Sequence, residues 1–89
     1  MSRYARKTDS THQIVVEAFR VAGWAVFDTS RVGSDAPDLV VSKAGRVIAV
    51  EVKAAKGKLR PGQTEWLARW QGETAVCRSV EDVMELSAV

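Results

Sequence analysis

The chain has one cysteine, Cys77, and one histidine, His12. A lone thiol excludes an intrachain disulfide and any multi-cysteine zinc site, and a lone imidazole excludes a histidine-cluster metal centre. A metal in such a chain is held by oxygen ligands, which favours hard cations such as Mg2+ or Mn2+. No apolar run approaches the roughly 18 residues of a membrane helix. The polar start Ser2-Arg3-Tyr4-Ala5-Arg6-Lys7 lacks the apolar stretch of a signal peptide. There is no internal repeat, no low-complexity segment and no linker that would divide the chain. What is present is ordinary for a globular protein: 89 residues, 46% hydrophobic and 27% charged. That length is one domain with a thin core.

Charge is unevenly placed. Residues 1–60 carry eleven Lys/Arg against six Asp/Glu, a balance of +5, and residues 61–89 carry two against five, a balance of −3. A basic front is a mild pointer to an anionic partner such as nucleic acid. Residues 1–9 read as a basic N-terminal arm, and 10–89 as a single domain. Ser10 or Thr11 is a candidate helix cap, and Ile14, Val15, Ala18, Val21 and Ala22 make an apolar stripe ending at Gly23. Glu17 lies beside that stripe. Strands are expected at 24–27, 38–42 and 47–54, the last two joined by a hairpin turn through Ala44-Gly45. Pro61 opens a helix over 61–71, a fourth strand spans 74–78, and Ser79 with Asp82 caps a short C-terminal helix. The order is α-β-β-β-α-β-α, a mixed sheet flanked by helices.

The third strand carries the chemistry. Side chains alternate across a strand, so Ile48, Val50, Val52 and Ala54 share one face and Val47, Ala49, Glu51 and Lys53 the other. Two charges in so apolar a strand need compensation. With the turn centred near Ala44 and Gly45, Asp38 is expected to pair roughly with Glu51, and two carboxylates would converge beside Lys53. Two carboxylates bind a divalent cation through oxygen, a metal activates water and polarises a phosphodiester, and a lysine orients that water or offsets developing charge. The Val52 carbonyl sits between them as a further oxygen. A hairpin salt bridge is the ordinary alternative for an arbitrary Asp, Glu and Lys.

Pro37-Asp38, twelve intervening residues, then Glu51-Val52-Lys53 resembles the signature of the PD-(D/E)XK nuclease superfamily, whose restriction-endonuclease-like core has the same α-β-β-β-α-β order. The wider sequence resembles the virus-type replication-repair nuclease (VRR-NUC) family. The likeness rests on the first helix with Glu17, Gly33-Ser34-Asp35-Ala36-Pro37-Asp38, Ala49-Val50-Glu51-Val52-Lys53, Gly57-Lys58-Leu59-Arg60-Pro61-Gly62-Gln63 and Trp66-Leu67. It implies Asp38, Glu51 and the Val52 carbonyl as metal ligands, Glu17 as a helix acid completing the acidic site, and Lys53 as the catalytic lysine. Gln63 matches a glutamine opening the helix after the catalytic strand. Arg31, Ser34, Lys56, Lys58 and Arg60 are candidates for contacts to DNA phosphates. His12 reads as a surface residue, Cys77 as a buried small hydrophobe, and Trp66 and Trp70 as core.

The function these readings imply is a Mg2+- or Mn2+-dependent endonuclease, with no organic cofactor and no membrane association. The chain has no helix-turn-helix or zinc finger, so DNA structure rather than base sequence is the expected target. The resemblance implies resolution of Holliday or other branched junctions by a homodimer, whose twofold symmetry supplies paired nicks. It also implies a phage or bacterial setting, in the cytoplasm. Two other expectations remain: a flap, nick or single-strand nuclease working with a replication or repair partner, and a DNA- or protein-binding module that has lost the chemistry.

Overall fold

The computed structural model describes residues 3–88, with side chains from residue 10 onward. Seven elements follow in the expected order: α1 Arg3–Val21, β1 Ala25–Asp28, β2 Leu39–Lys43, β3 Arg46–Val52, α2 Pro61–Arg69, β4 Glu73–Cys77 and α3 Val80–Ser87. The strands form one mixed sheet in the order β1-β2-β3-β4, antiparallel except for the β3–β4 pair. The β2–β3 hairpin closes on two residues, Ala44 and Gly45, both with positive φ, as a tight right-twisted hairpin requires.

Two expectations about α1 are corrected. The helix begins at Arg3 rather than at a Ser10 or Thr11 cap. Residues 3–9 hold no proline or glycine to stop it, and Ala5, Arg6 and Lys7 are good helix formers. Residues 1–2 of the expected basic arm, and the side chains of Arg3, Arg6 and Lys7, lie outside the described residues. The buried stripe is also rotated. Val15, Val16, Ala18 and Phe19 are buried, while Ile14 is 51% and Val21 74% exposed. At about 100° per residue, this turns Glu17 to the solvent side of the helix, where it is exposed.

α1 and α3 pack together over the sheet face bearing Leu39, Val41, Ile48 and Val50. Trp24 closes this core edge-on to Phe19 and donates its ring N–H to Ser87 Oγ at 2.8 Å. Cys77 is buried there as expected, and burial together with the nearby Asp82 carboxylate pushes its thiol up to about 12. Ser79 caps α3, accepting from the Asp82 N–H. On the opposite face Ala49 and Glu51 are buried, and Gln63 of α2 reaches Glu51. Trp66 and Trp70 are not core. They stack on each other at 5.2 Å and stay partly exposed along α2.

Candidate active site

Every β2–β3 pair has the register set by the turn as far as Leu39 with Val50, where the ladder ends. Asp38 stands just before β2, and its N–H turns to the same Val50 carbonyl, so it does not oppose Glu51 in a regular pair as expected. Its carboxylate nevertheless comes beside that of Glu51 at the open end of the hairpin. Asp38 is held on both sides. Its N–H donates to the Val50 carbonyl at 3.0 Å, and its own carbonyl accepts from the Thr29 N–H at 2.8 Å. The Thr29 hydroxyl donates to the Pro37 carbonyl at 2.7 Å. The Asp38 carboxylate accepts from the Val52 N–H at 2.9 Å. In an extended strand the N–H and C=O of one residue point the same way, so the Val52 carbonyl faces the Asp38 end of the sheet.

Glu51 is 3% exposed. Burial, then the adjacent Asp38 charge and their hydrogen bond, push its carboxyl up to about 7, against the pull of Lys53 and Arg60. Lys53 Nζ stands 3.8 Å from Glu51 Oε2. The other partner of that oxygen is Gln63, whose Nε2 donates at 2.8 Å while its Oε1 accepts from the Arg60 N–H at 2.9 Å. Gln63 therefore caps the start of α2 and fixes Glu51 at once. The Arg60 contact requires the oxygen on one side and so assigns the amine to Glu51.

These groups line a cavity of about 390 Å³. Asp38, Glu51, Val52, Lys53, Gln63, Ser34 and Arg60 all border it. Arg31, Lys56 and Lys58 are exposed and lie outside its lining. Glu17 lines a separate groove with Ser10, Gln13 and Ile14, because the true apolar stripe of α1 points the other way. In its place α1 brings Thr11 and His12 to the cavity. His12, assigned to the surface by its isolation in sequence, bonds Asp28 Oδ2 through Nε2 at 2.8 Å. The signal that would have found it is its spacing: four before Val16 and seven before Phe19 put it on the buried face.

The approach to Asp38 is strained. Gly33, Ser34 and Asp35 all have positive φ, a conformation that costs non-glycine residues roughly 1–2 kcal/mol each. Arg60 holds the turn, its guanidinium 2.9 Å from Asp35 Oδ1. Gly62 lets it close, since a Cβ there would collide with the Asp35 carboxylate. Gly62→Ala should destabilise the fold by about 1 kcal/mol by displacing Asp35 and freeing Arg60. In an Asp35→Gly background the same change should be neutral or stabilising, because alanine is the better helix former. Urea midpoints of the four proteins check this cycle; an equal loss in both backgrounds would mean the contact is not the cause.

Among the described residues no three His, Cys, Asp or Glu side chains assemble a metal cage, and no helix is long and apolar enough to cross a membrane. A cage is not what a hard cation such as Mg2+ asks for. It usually binds through one or two carboxylates and keeps waters and substrate phosphates as its other ligands. A carboxylate pair of which one member is buried against its preference for charge, with a strand carbonyl beside it, fits such an ion.

The VRR-NUC domain family matches residues 4–81 of the chain. A solved structure described as a VRR_NUC domain is 30% identical, with a TM-score of 0.75, over 90% of this chain and 92% of that one. No curated protein matches.

Proposed function

From the premise that this chain belongs to the VRR-NUC domain family, a nuclease-type family, we propose that it is a divalent-metal-dependent DNA endonuclease acting on branched DNA as a homodimer. The observation that carries the reading is the Glu51 carboxyl, 3% exposed, pushed up to about 7 and facing Asp38 in an open cavity. A fold gains nothing from such a pair unless a cation shares it.

Asp38, Glu51 and the Val52 carbonyl would hold Mg2+ or Mn2+. When bound, the ion activates water and polarises the phosphodiester. The chain's own groups do the rest. Gln63 keeps Glu51 Oε2 oriented. Lys53 Nζ orients the attacking water and offsets charge gathering on the phosphate oxygens. The water oxygen bonds to phosphorus as the bond to the leaving oxygen breaks. Ser34 and Arg60 border the strand that lies in the cavity, and Lys56, Lys58 and Arg31 contact phosphates further along it. Glu17 faces away from this chemistry and is given no part in it.

Dimerisation is supported by apolar surface on the sheet face that carries Glu51. Phe27 is 68% and Val47 50% exposed there, and a twofold axis would set this face against its own copy. Two copies related by a twofold axis present two cavities to the two strands of a junction.

The test is a cleavage panel of four-way junction, flap, nicked duplex, linear duplex and single strand, each with Mg2+, Mn2+ or chelator. Paired symmetric cuts in the junction, absent with chelator, together with a dimer in sedimentation, are the expected result. Cutting confined to flaps or single strands would replace the junction reading, and no metal-dependent cutting would overturn the enzyme.

A further inference from the structure

We propose that His12, oriented by Asp28, is a phosphate-contacting residue of this cavity, its imidazolium donating a hydrogen bond to an oxygen of the bound DNA backbone. The inference rests on the nuclease reading only in taking DNA as the occupant.

The geometry begins with Asp28 at the end of β1. Its Oδ1 accepts from the Ser30 hydroxyl at 2.6 Å and from the Ser30 N–H at 2.9 Å. Its Oδ2 is 2.8 Å from His12 Nε2. Burial alone would raise the Asp28 carboxyl, but the Ser30 and His12 bonds outweigh it and hold it down at about 2. An ionised carboxylate is only an acceptor, so Nε2 carries a proton and the tautomer of the ring is fixed. The other nitrogen, Nδ1, makes no hydrogen bond among the described residues. No buried side-chain polar atom there lacks a partner, and His12 borders the cavity.

Two roles compete for that nitrogen. As a lone-pair donor it would bind the metal beside Asp38 and Glu51, but His12 does not cluster with them closely enough. As a proton donor it would meet a phosphodiester, which offers acceptors alone. Contact with phosphate therefore requires both ring nitrogens protonated, with Asp28 carrying the balancing charge. The other ionisable groups lining the cavity are Asp35, Asp38, Glu51, Lys53 and Arg60. Lys53 and Arg60 each pair with an acid that itself borders the cavity, Glu51 and Asp35. The acid paired with His12 stands behind it, outside the lining, which leaves the imidazole facing the substrate.

His12 is the chain's only histidine, so ring 15N resonances report on it without assignment. Labelled protein is titrated with a four-way junction in chelator and again in Ca2+, where nothing is cut. At pH 7.5 the DNA should move the ring nitrogens to imidazolium positions. His12→Gln should lose about tenfold in affinity while melting like the wild type. A methylphosphonate at one backbone position should cost the wild type about tenfold and His12→Gln nothing more. Asp28→Asn should keep the fold and lose the DNA-induced protonation. A ring unmoved by DNA, or methylphosphonates that cost both proteins equally, would overturn the contact. Metal-dependent cutting without these responses overturns this inference alone. DNA-induced protonation without cutting overturns the nuclease reading alone.

Discussion

Lys53→Ala should lower the cleavage rate by about a thousandfold, the usual loss when one positioned proton-handling or charge-stabilising group is removed. The side chain leaves the end of β3 at a point where the backbone is already fixed, the Lys53 N–H donating to the Cys77 carbonyl at 3.2 Å. Truncation therefore removes the ammonium and leaves the hairpin intact. It has one secondary effect. Lys53 pulls the Glu51 carboxyl down, so without it Glu51 ionises at higher pH and divalent binding at neutral pH weakens. The two effects separate on a pH series. Raising the pH should restore metal binding to the variant, measured by calorimetry, and should not restore cleavage. A variant that regains its rate along with its metal would mean that Lys53 acts only through Glu51.

Glu51→Gln should abolish metal-dependent cleavage and, at the same time, stabilise the metal-free fold. The Glu51 carboxyl is raised from an ordinary value near 4.5 to about 7 by burial and by Asp38. A raised acid favours folding in its protonated form. Its contribution is fully present below pH 4.5 and is lost as pH climbs through 7. At pH 8 the ionised Glu51 is a cost, which the neutral amide removes. After allowance for water in the open cavity the gain is about 1–2 kcal/mol, or roughly 5–10 °C in Tm for a domain of this size. Gln63 can keep its bond, because the new side chain also carries an acceptor oxygen. The same argument fixes the sign for the wild type. A cation competes with a proton for Glu51, so divalent affinity rises with pH through about 7, and Mg2+ stabilises the fold more at pH 8 than at pH 6. Melting curves of both proteins across pH, with and without Mg2+, check all of this. Equal Tm values at pH 8 without metal would mean that Glu51 is not under electrostatic load.

These two residues were also the most legible in the sequence. Strand alternation put Glu51 and Lys53 on one face, and a two-residue turn at Ala44-Gly45 fixed the partner of every residue back to Leu39. A hairpin register is a local quantity, set by turn length, so it survives without tertiary information. Pro61 and Ser79 marked the starts of α2 and α3 for an equally local reason, the chemistry of helix ends. Helix rotation is different. Five of the seven residues from Ile14 to Arg20 are apolar, and more than one stripe can be drawn through so apolar a segment. Only the surface that α1 meets selects Val16 and Phe19 over Ile14 and Val21. The choice carries function with it, turning Glu17 to solvent and His12 to the cavity.

The amino-acid sequence by itself determined the fold class, the order of the elements, the hairpin register as far as Leu39 and Val50, and the position of Lys53 beside Glu51. Each of these follows from spacings of a few residues. Only the tertiary structure decided which face of α1 borders the site, that Gln63 bonds Glu51 while capping α2, that Arg60 and Gly62 hold the strained turn before Asp38, and that Asp28 stands behind His12. Those relations join residues 3 to 27 positions apart through folding, and even the shortest of them, Arg60 to Gln63, draws its meaning from Glu51 on another element. Their partners are chosen by packing against the sheet, which no local pattern in the chain encodes.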